Sequence, residues 1–221
     1  METKQIVIMT KSAKNNNFCI AGFEFPSKKW VRLVSDVPEI EEAVPSQDTV
    51  LADGTNMKIF DAIEIKTSDK ISNNIIQPEN IYYDANVKWK KIGQSSLEKV
   101  LKWRGFDRPN KLFYNDDRFV DAEFIKTQTD RESLLFVPIK NVVVEVKQNN
   151  GSPRFFVHFI YNGAKYFHLG LSDIKLRRDF YVNDDGKYLF AKDAAAVFSL
   201  TNSFKDTGKC FKMLAQIFPK S

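Results

Sequence analysis

Asn162-Gly163 sits between two strand-like runs, Arg154 to Tyr161 and Lys165 to Leu171. This dipeptide supplies the two positive-φ residues of a type I′ hairpin turn. A two-residue turn fixes register, so Tyr161 is expected opposite Ala164, His158 opposite Phe167 and His168 opposite Val157. Opposed residues share a face and neighbours along a strand alternate. Phe155, Val157, Phe159 and Tyr161 are therefore expected on one side, with Phe156, His158 and Ile160 on the other. The chain has only two histidines, and this register sends them to opposite sides, which argues against a metal site built from both. Aromatics on both faces fit a sheet packed on both sides, the preferred reading, or a stacking platform for bases.

Most of the remaining chain also reads as short strands. Gln5 to Met9, Asn17 to Phe25, Lys29 to Ser35, Ile59 to Ile65, Asn80 to Tyr83 and Val87 to Ile92 precede the hairpin's lobe, which adds Ser133 to Ile139, Val142 to Lys147, Lys187 to Phe190, Ala194 to Thr201 and Lys209 to Phe218. The clearest helix runs from Ser96 to Trp103, with Ser95 as its cap and Glu98 as the capping-box partner. The stretch from Pro109 to Glu132 is polar and turn-rich, so a lobe boundary is placed near residue 127. The expected fold is all-β with one or two short helices: two small barrels in tandem, over residues 1–127 and 128–221.

A hydrophobic fraction of 43% supports a packed core and excludes a disordered chain. No apolar run approaches the length of a membrane-spanning helix and the first residues carry no signal-peptide core, so a cytoplasmic protein without membrane contact is expected. Two cysteines, Cys19 and Cys210, each lie within an apolar run and read as buried reduced thiols. The net charge of +5 is unevenly placed, because residues 128–221 hold 14 basic against nine acidic side chains while the rest is balanced. Such an excess suits a polyanion partner.

Catalytic patterns are missing. There is no Gly-rich phosphate loop, Gly-x-Ser-x-Gly elbow or His-Glu-x-x-His helix. Asp116, Asp117, Asp121 and Glu123 are the one carboxylate group with the composition of a divalent-metal nuclease, and a solvated loop is the simpler reading. Asp184-Asp185-Gly186 reads as a turn. Basic residues alternate with aromatics around Lys88, Trp89 and Lys90, and along Lys102, Trp103 and Arg104; Arg177 and Arg178 follow the second hairpin. Charge and rings in such proximity suit phosphates and bases.

Lys11-Ser12, Cys19-Ile20-Ala21-Gly22, Trp30-Val31-Arg32-Leu33-Val34-Ser35 and Gln77-Pro78-Glu79-Asn80, with the closing Phe198-Ser199-Leu200-Thr201 and Cys210 to Phe218, resemble the dual OB-domain family of prokaryotic proteins. The resemblance spans nearly the whole chain. It departs at Ala13, where a further polar group is expected. It implies two OB barrels that bind nucleic acid, in a mobile-element or defence setting. In that frame Lys11 and Ser12 lie in the loop after the first strand, Arg32 points away from Val31 and Leu33 toward a phosphate or base, and Ser35 stands nearby. Ser199 and Lys212 are polar groups interrupting apolar strands, which must face solvent, a partner or a ligand.

These readings combine into a non-catalytic protein without cofactor or metal that binds DNA or RNA, single-stranded or structured in preference to a specific duplex. The expected contacts are Lys11, Ser12, Arg32, Ser35, Lys88, Lys90, Lys102, Arg104, Arg177, Arg178, Ser199 and Lys212. A protein-interaction adaptor with a protein partner is the alternative, and a metal-dependent nuclease the second.

Overall fold

The computed structural model describes residues 1–149 and 152–220. The chain forms two compact units, one of residues 1–74 and 78–105, the other of residues 75–77 and 106 onward.

In the first unit β1 (Thr3–Lys14), β2 (Asn17–Phe25) and β3 (Trp30–Val34) form an antiparallel meander. Asn15 and Asn16 make the first turn at φ 47° and 59°, a conformation asparagine tolerates. β4 (Asp61–Lys66) lies antiparallel to β1. β5 (Asn80–Tyr82) runs parallel to β3, and β6 (Lys90–Gln94) pairs antiparallel with β4. An isolated bridge between Thr67 and Tyr83 joins the end of β4 to β5 and closes the ring. Ile6, Ile8, Ile20, Leu33, Ile63 and Trp89 fill it, each at most 1% exposed. Gly22 faces the bulge in β1 between Ile8 and Thr10. A Cβ there would lie 2.2 Å from the Val7 carbonyl oxygen, so glycine is what lets the two backbones approach. Helix α1 (Leu97–Trp103) follows β6; its cap is Ser96, whose hydroxyl accepts from the Lys99 amide, one residue later than Ser95.

The second unit opens with β7 (Phe119–Asp121) and α2 (Ala122–Thr127), then β8 (Leu134–Lys147), β9 (Arg154–Tyr161) and β10 (Ala164–Leu171). Helix α3 (Ile174–Asp179) leads to β11 (Gly186–Leu200) and β12 (Lys209–Pro219). The order β10-β9-β8-β11-β12 is closed by a parallel pairing of β10 with β12, and β7 joins the outer edge of β12. This is a five-stranded barrel with a helix between its third and fourth strands, as an OB fold requires. β8 and β11 are each one continuous strand where the sequence suggested two, because both carry a bulge, near Asn141 and between Leu189 and Ala191, that bends them around the barrel. Asp173 caps α3 at the Leu176 amide and also accepts from Gln216 and from the Ile217 amide, fastening the helix to β12.

The units divide after Gly105 and not near residue 127. Leu112, Phe113, Val120, Ala122 and Ile125 sit in the second core, so the polar stretch from Pro109 to Glu132 is part of that unit. Its apolar residues sit in a three-residue 3-10 turn, the three-residue β7 and the six-residue α2, each too short to show a period. The second unit keeps the basic excess, with 18 Lys and Arg against 14 Asp and Glu.

Candidate functional site

The Asn162-Gly163 turn forms as the dipeptide requires, at φ 48° and 80°, with Tyr161 opposite Ala164. The expected register then holds only to Tyr166. A bulge follows, with Tyr166 opposite Phe159 and Leu169 opposite Val157, so Phe167 and His168 together face His158. His168 takes φ 54° there. The extra residue turns His168 onto the same outer face as His158, with ring centroids 4.8 Å apart. The expectation that the histidines lie on opposite sides is therefore corrected by one inserted residue.

The two faces of this hairpin differ. Phe155, Val157, Phe159 and Tyr161 are buried in the barrel, while Phe156 and Ile160 are half-buried on the outside and Phe167 is 55% exposed. The inner side is thus the fully packed one, while the outer side mixes buried His158 and Glu145 with half-buried and exposed rings. Pairing across four strands sets Lys187, Glu145 and Phe156 in one row, and Leu189, Val143 and His158 in the next. Lys140, Ile160 and Lys165 form a third, and Lys147 stands opposite Arg154 beyond the first. Lys140, Lys147, Arg154, Lys165 and Lys187 are all exposed. Lys147 Nζ lies 5.8 Å from the Phe156 ring centre. His158 and Phe167 meet edge to face, as do Phe156 and His168. Glu145 is the buried acid of this face: its Oε2 lies 2.7 Å from His158 Nε2 and 3.1 Å from His168 Nδ1. Burial alone would raise its pKa, but the His158 hydrogen bond and the neighbouring His168 and Lys147 hold it below the ordinary value. Burial conversely holds His158 below its ordinary value, against the pull of Glu145.

The residues expected from sequence fall elsewhere. Lys11 and Ser12 belong to β1 and not to a loop: Lys11 Nζ donates to Thr49 Oγ1 at 3.1 Å and sits 4.4 Å over the Phe18 ring, and Ser12 is buried. Burial lowers the Lys11 pKa. Arg32 is 4% exposed and pairs with Glu79 at 3.5 Å, so it is a buried structural ion pair and not an outward contact. Ser35 is buried and accepts from the Val37 amide. Val31, Arg32, Leu33, Val34 and Ser35 are all buried, which breaks the rule that alternate residues of a strand see solvent.

Lys88, Lys90 and Lys102 are exposed, and Arg104 lies 4.2 Å over the Phe23 ring while donating to the Lys28 carbonyl. Arg177 and Arg178 are on α3, Arg177 over the Phe155 ring at 5.6 Å and Arg178 exposed. Ser199 is buried and donates to the Leu200 carbonyl. Lys212 is fully buried: Nζ donates to the Asn115 carbonyl and to Asn115 Oδ1, and burial pushes its pKa down to about 7. It therefore has no surface exposed to solvent. Cys210 is buried, its thiol pushed up to about 11 by burial, whereas Cys19 is only half-buried.

Of the four carboxylates considered for a nuclease, Asp116 is held by Lys111 at 2.7 Å and by the Tyr166 hydroxyl at 2.9 Å, and Glu123 by Lys126. Among the described residues these four do not converge on a common point. No helix among them is long and apolar enough to cross a membrane.

No curated protein matches the chain. Two solved structures resemble it remotely: a murine DNA binding protein bound with ds DNA, 7% identical at a TM-score of 0.37 with 100% of both chains covered, and a structure described as the molecular basis for abrogation of activation of pro-inflammatory cytokines, 11% identical at 0.32, covering 100% of this chain and 93% of that one. Likeness at this level carries no argument about function. The two rings of strands, each built on a three-stranded meander and closed by a parallel strand, do have a match in sequence: the Dual OB-containing domain aligns with residues 4–217, and the chain belongs to that family.

Proposed function

We propose that the protein binds single-stranded or structured nucleic acid through the outer face of β8, β9 and β10, without chemistry on the ligand. The observation that carries this reading is one face holding Phe156 and Phe167 within a frame of Lys140, Lys147, Arg154, Lys165 and Lys187. β9 and β10 are the second and third strands of the barrel, the face with which OB folds take oligonucleotides. Rings offer stacking surfaces to unpaired bases and the cations neutralise phosphates around them. A duplex hides its base faces, which favours unpaired ligands here. The family resemblance suggests a mobile-element or defence setting for this activity.

The test is fluorescence anisotropy with labelled single-stranded DNA, single-stranded RNA, duplex and a structured RNA, each titrated over a range of salt. The expected result is salt-sensitive binding of unpaired ligands, weakened by Phe167→Ala and Lys165→Ala. No binding to any of the four at low salt would overturn the reading and make a protein partner the leading alternative.

A further inference from the structure

The chain's two histidines and one of its buried carboxylates meet on the outer face of the second barrel. One candidate ligand atom from each of Glu145, His158 and His168 lies within 4.8 Å of the other two, and Glu145 Oε2 is 2.7 Å from His158 Nε2 and 3.1 Å from His168 Nδ1. Ligands placed about 2.0 to 2.2 Å from a tetrahedral ion are themselves about 3.3 Å apart. The Glu145–His168 separation is near that value, the Glu145–His158 hydrogen bond would have to lengthen by about 0.6 Å, and the two histidines would be brought together by a turn of His168, whose side chain is 43% exposed.

We propose that Glu145, His158 and His168 bind one divalent transition-metal ion of the zinc type. Two imidazole nitrogens and one carboxylate oxygen suit zinc, cobalt or nickel, whereas magnesium and calcium require mostly oxygen ligands. Three protein ligands leave a coordination position, and it opens outward on the side of His168.

The local build favours this use over an ordinary hydrogen-bonded core. His158 is 6% exposed and its Nδ1 is buried without a hydrogen-bond partner. In the metal-free protein His158 Nε2–H donates to the Glu145 carboxylate; with an ion in that place the proton would move to Nδ1 and the Nε2 lone pair would face the metal. His168 requires the corresponding shift from Nδ1 to the exposed side of its ring. His168 also owes its place to the bulge and to a left-handed backbone that most residues avoid, without which it would face away. Lys147, 3.4 Å from Glu145 Oε1 and half exposed, is the cation the metal would displace from the carboxylate.

The inference stands apart from nucleic-acid binding and is tested without nucleic acid. Protein purified without a histidine tag and stripped with chelator is titrated with zinc and cobalt by calorimetry, with cobalt also followed by its visible absorption. The expected result is one equivalent per chain, with affinity reduced at least tenfold in both His168→Asn and Glu145→Gln. Asparagine tolerates the left-handed backbone at position 168, so that variant keeps the fold, and circular dichroism checks it. X-ray absorption of the bound ion should show two imidazole ligands, which in this sequence can only be His158 and His168. Equal affinity in His168→Asn and the unmodified protein, saturation by magnesium at the same concentration, or no saturable binding of zinc or cobalt would each overturn the proposal.

Discussion

Lys212 Nζ lies 2.6 Å from both oxygens of Asn115, the backbone carbonyl and Oδ1, and has no exposed surface. A neutral amine carries two N–H groups, which matches the two acceptors. Burial lowers the pKa to about 7 from 10.5, although Asp116 and Asp117 favour the charged form. The unfolded chain therefore binds one more proton than the folded one between about pH 7 and 10.5. Stability should rise with pH across that window and gain nothing from this group outside it. The gain is on the order of a few kcal/mol. Cys210 and Tyr166 titrate above their ordinary values because of burial and add opposite slopes from about pH 9 and about pH 10, so the measurement belongs between about pH 7 and 8.5. Amide exchange of β12 should slow with rising pH, after correction for intrinsic rates, and Lys212→Met should remove that trend. An unchanged trend in the variant would show that Lys212 is charged in the fold.

Binding through the β8–β10 face has a quantitative signature. Phe167→Ala should cost roughly 1 to 3 kcal/mol if a base stacks there, with little change in salt dependence. Arg154→Ala or Lys165→Ala should instead lower the salt slope for single strands by about 0.7 for each phosphate left without its cation. Lys212→Ala and Arg32→Ala should change the fraction folded and leave the affinity of folded molecules alone. Parallel falls in affinity and slope across all variants would place the binding surface elsewhere.

The hairpin shows how far sequence reaches and where it stops. Asn162-Gly163 dictates its own turn and the first three pairs, because those depend on local dihedrals. The bulge after Tyr166 carries no glycine or proline to announce it, and it is what brings His168 beside His158. In the first barrel, Arg32 looked outward because strand alternation assumes one wet face, but its side chain is buried against Glu79, which precedes Asn80 on the neighbouring parallel strand β5. Lys212 misled in the same way, since its partner Asn115 is 97 residues distant in the chain. The all-β class and the two barrels were legible because they rest on local pattern and on motifs at both ends, whereas the bulges split β8 and β11 into two apparent strands each. The exposed frame of Lys140, Lys147, Arg154, Lys165 and Lys187 was not, since its members are scattered one or two per strand and only the register gathers them.

Arg32 and Glu79 form an ion pair with side chains 5% and 8% exposed. Removing one partner leaves a buried charge, so Arg32→Ala should destabilise the first unit by about 3 to 5 kcal/mol. Trp30, Trp89 and Trp103 all lie in that unit, so tryptophan fluorescence reports its unfolding selectively. Arg32→Met combined with Glu79→Gln should lose less than Arg32→Ala alone. A midpoint in Arg32→Ala equal to that of the unmodified protein would mean that the pair adds nothing to stability.

Two glycines of the first barrel should respond to alanine in opposite directions. At Gly22 the new methyl group would lie 2.2 Å from the Val7 carbonyl oxygen and 2.8 Å from Ile6 Cγ2, and the backbone atom cannot move without opening the β1–β2 pairing. Gly22→Ala should therefore lower stability by roughly 1 to 3 kcal/mol or more. At Gly93 in β6 the nearest atom is Ala62 Cβ at 3.9 Å, an ordinary contact, and the backbone angle suits any residue. Gly93→Ala should raise stability by about 0.4 to 1 kcal/mol, because alanine restricts the unfolded chain and meets no obstacle in the folded one. Both are read from urea unfolding followed by tryptophan emission. Equal shifts at the two positions would show that β1 and β2 do not approach as closely as the bulge implies.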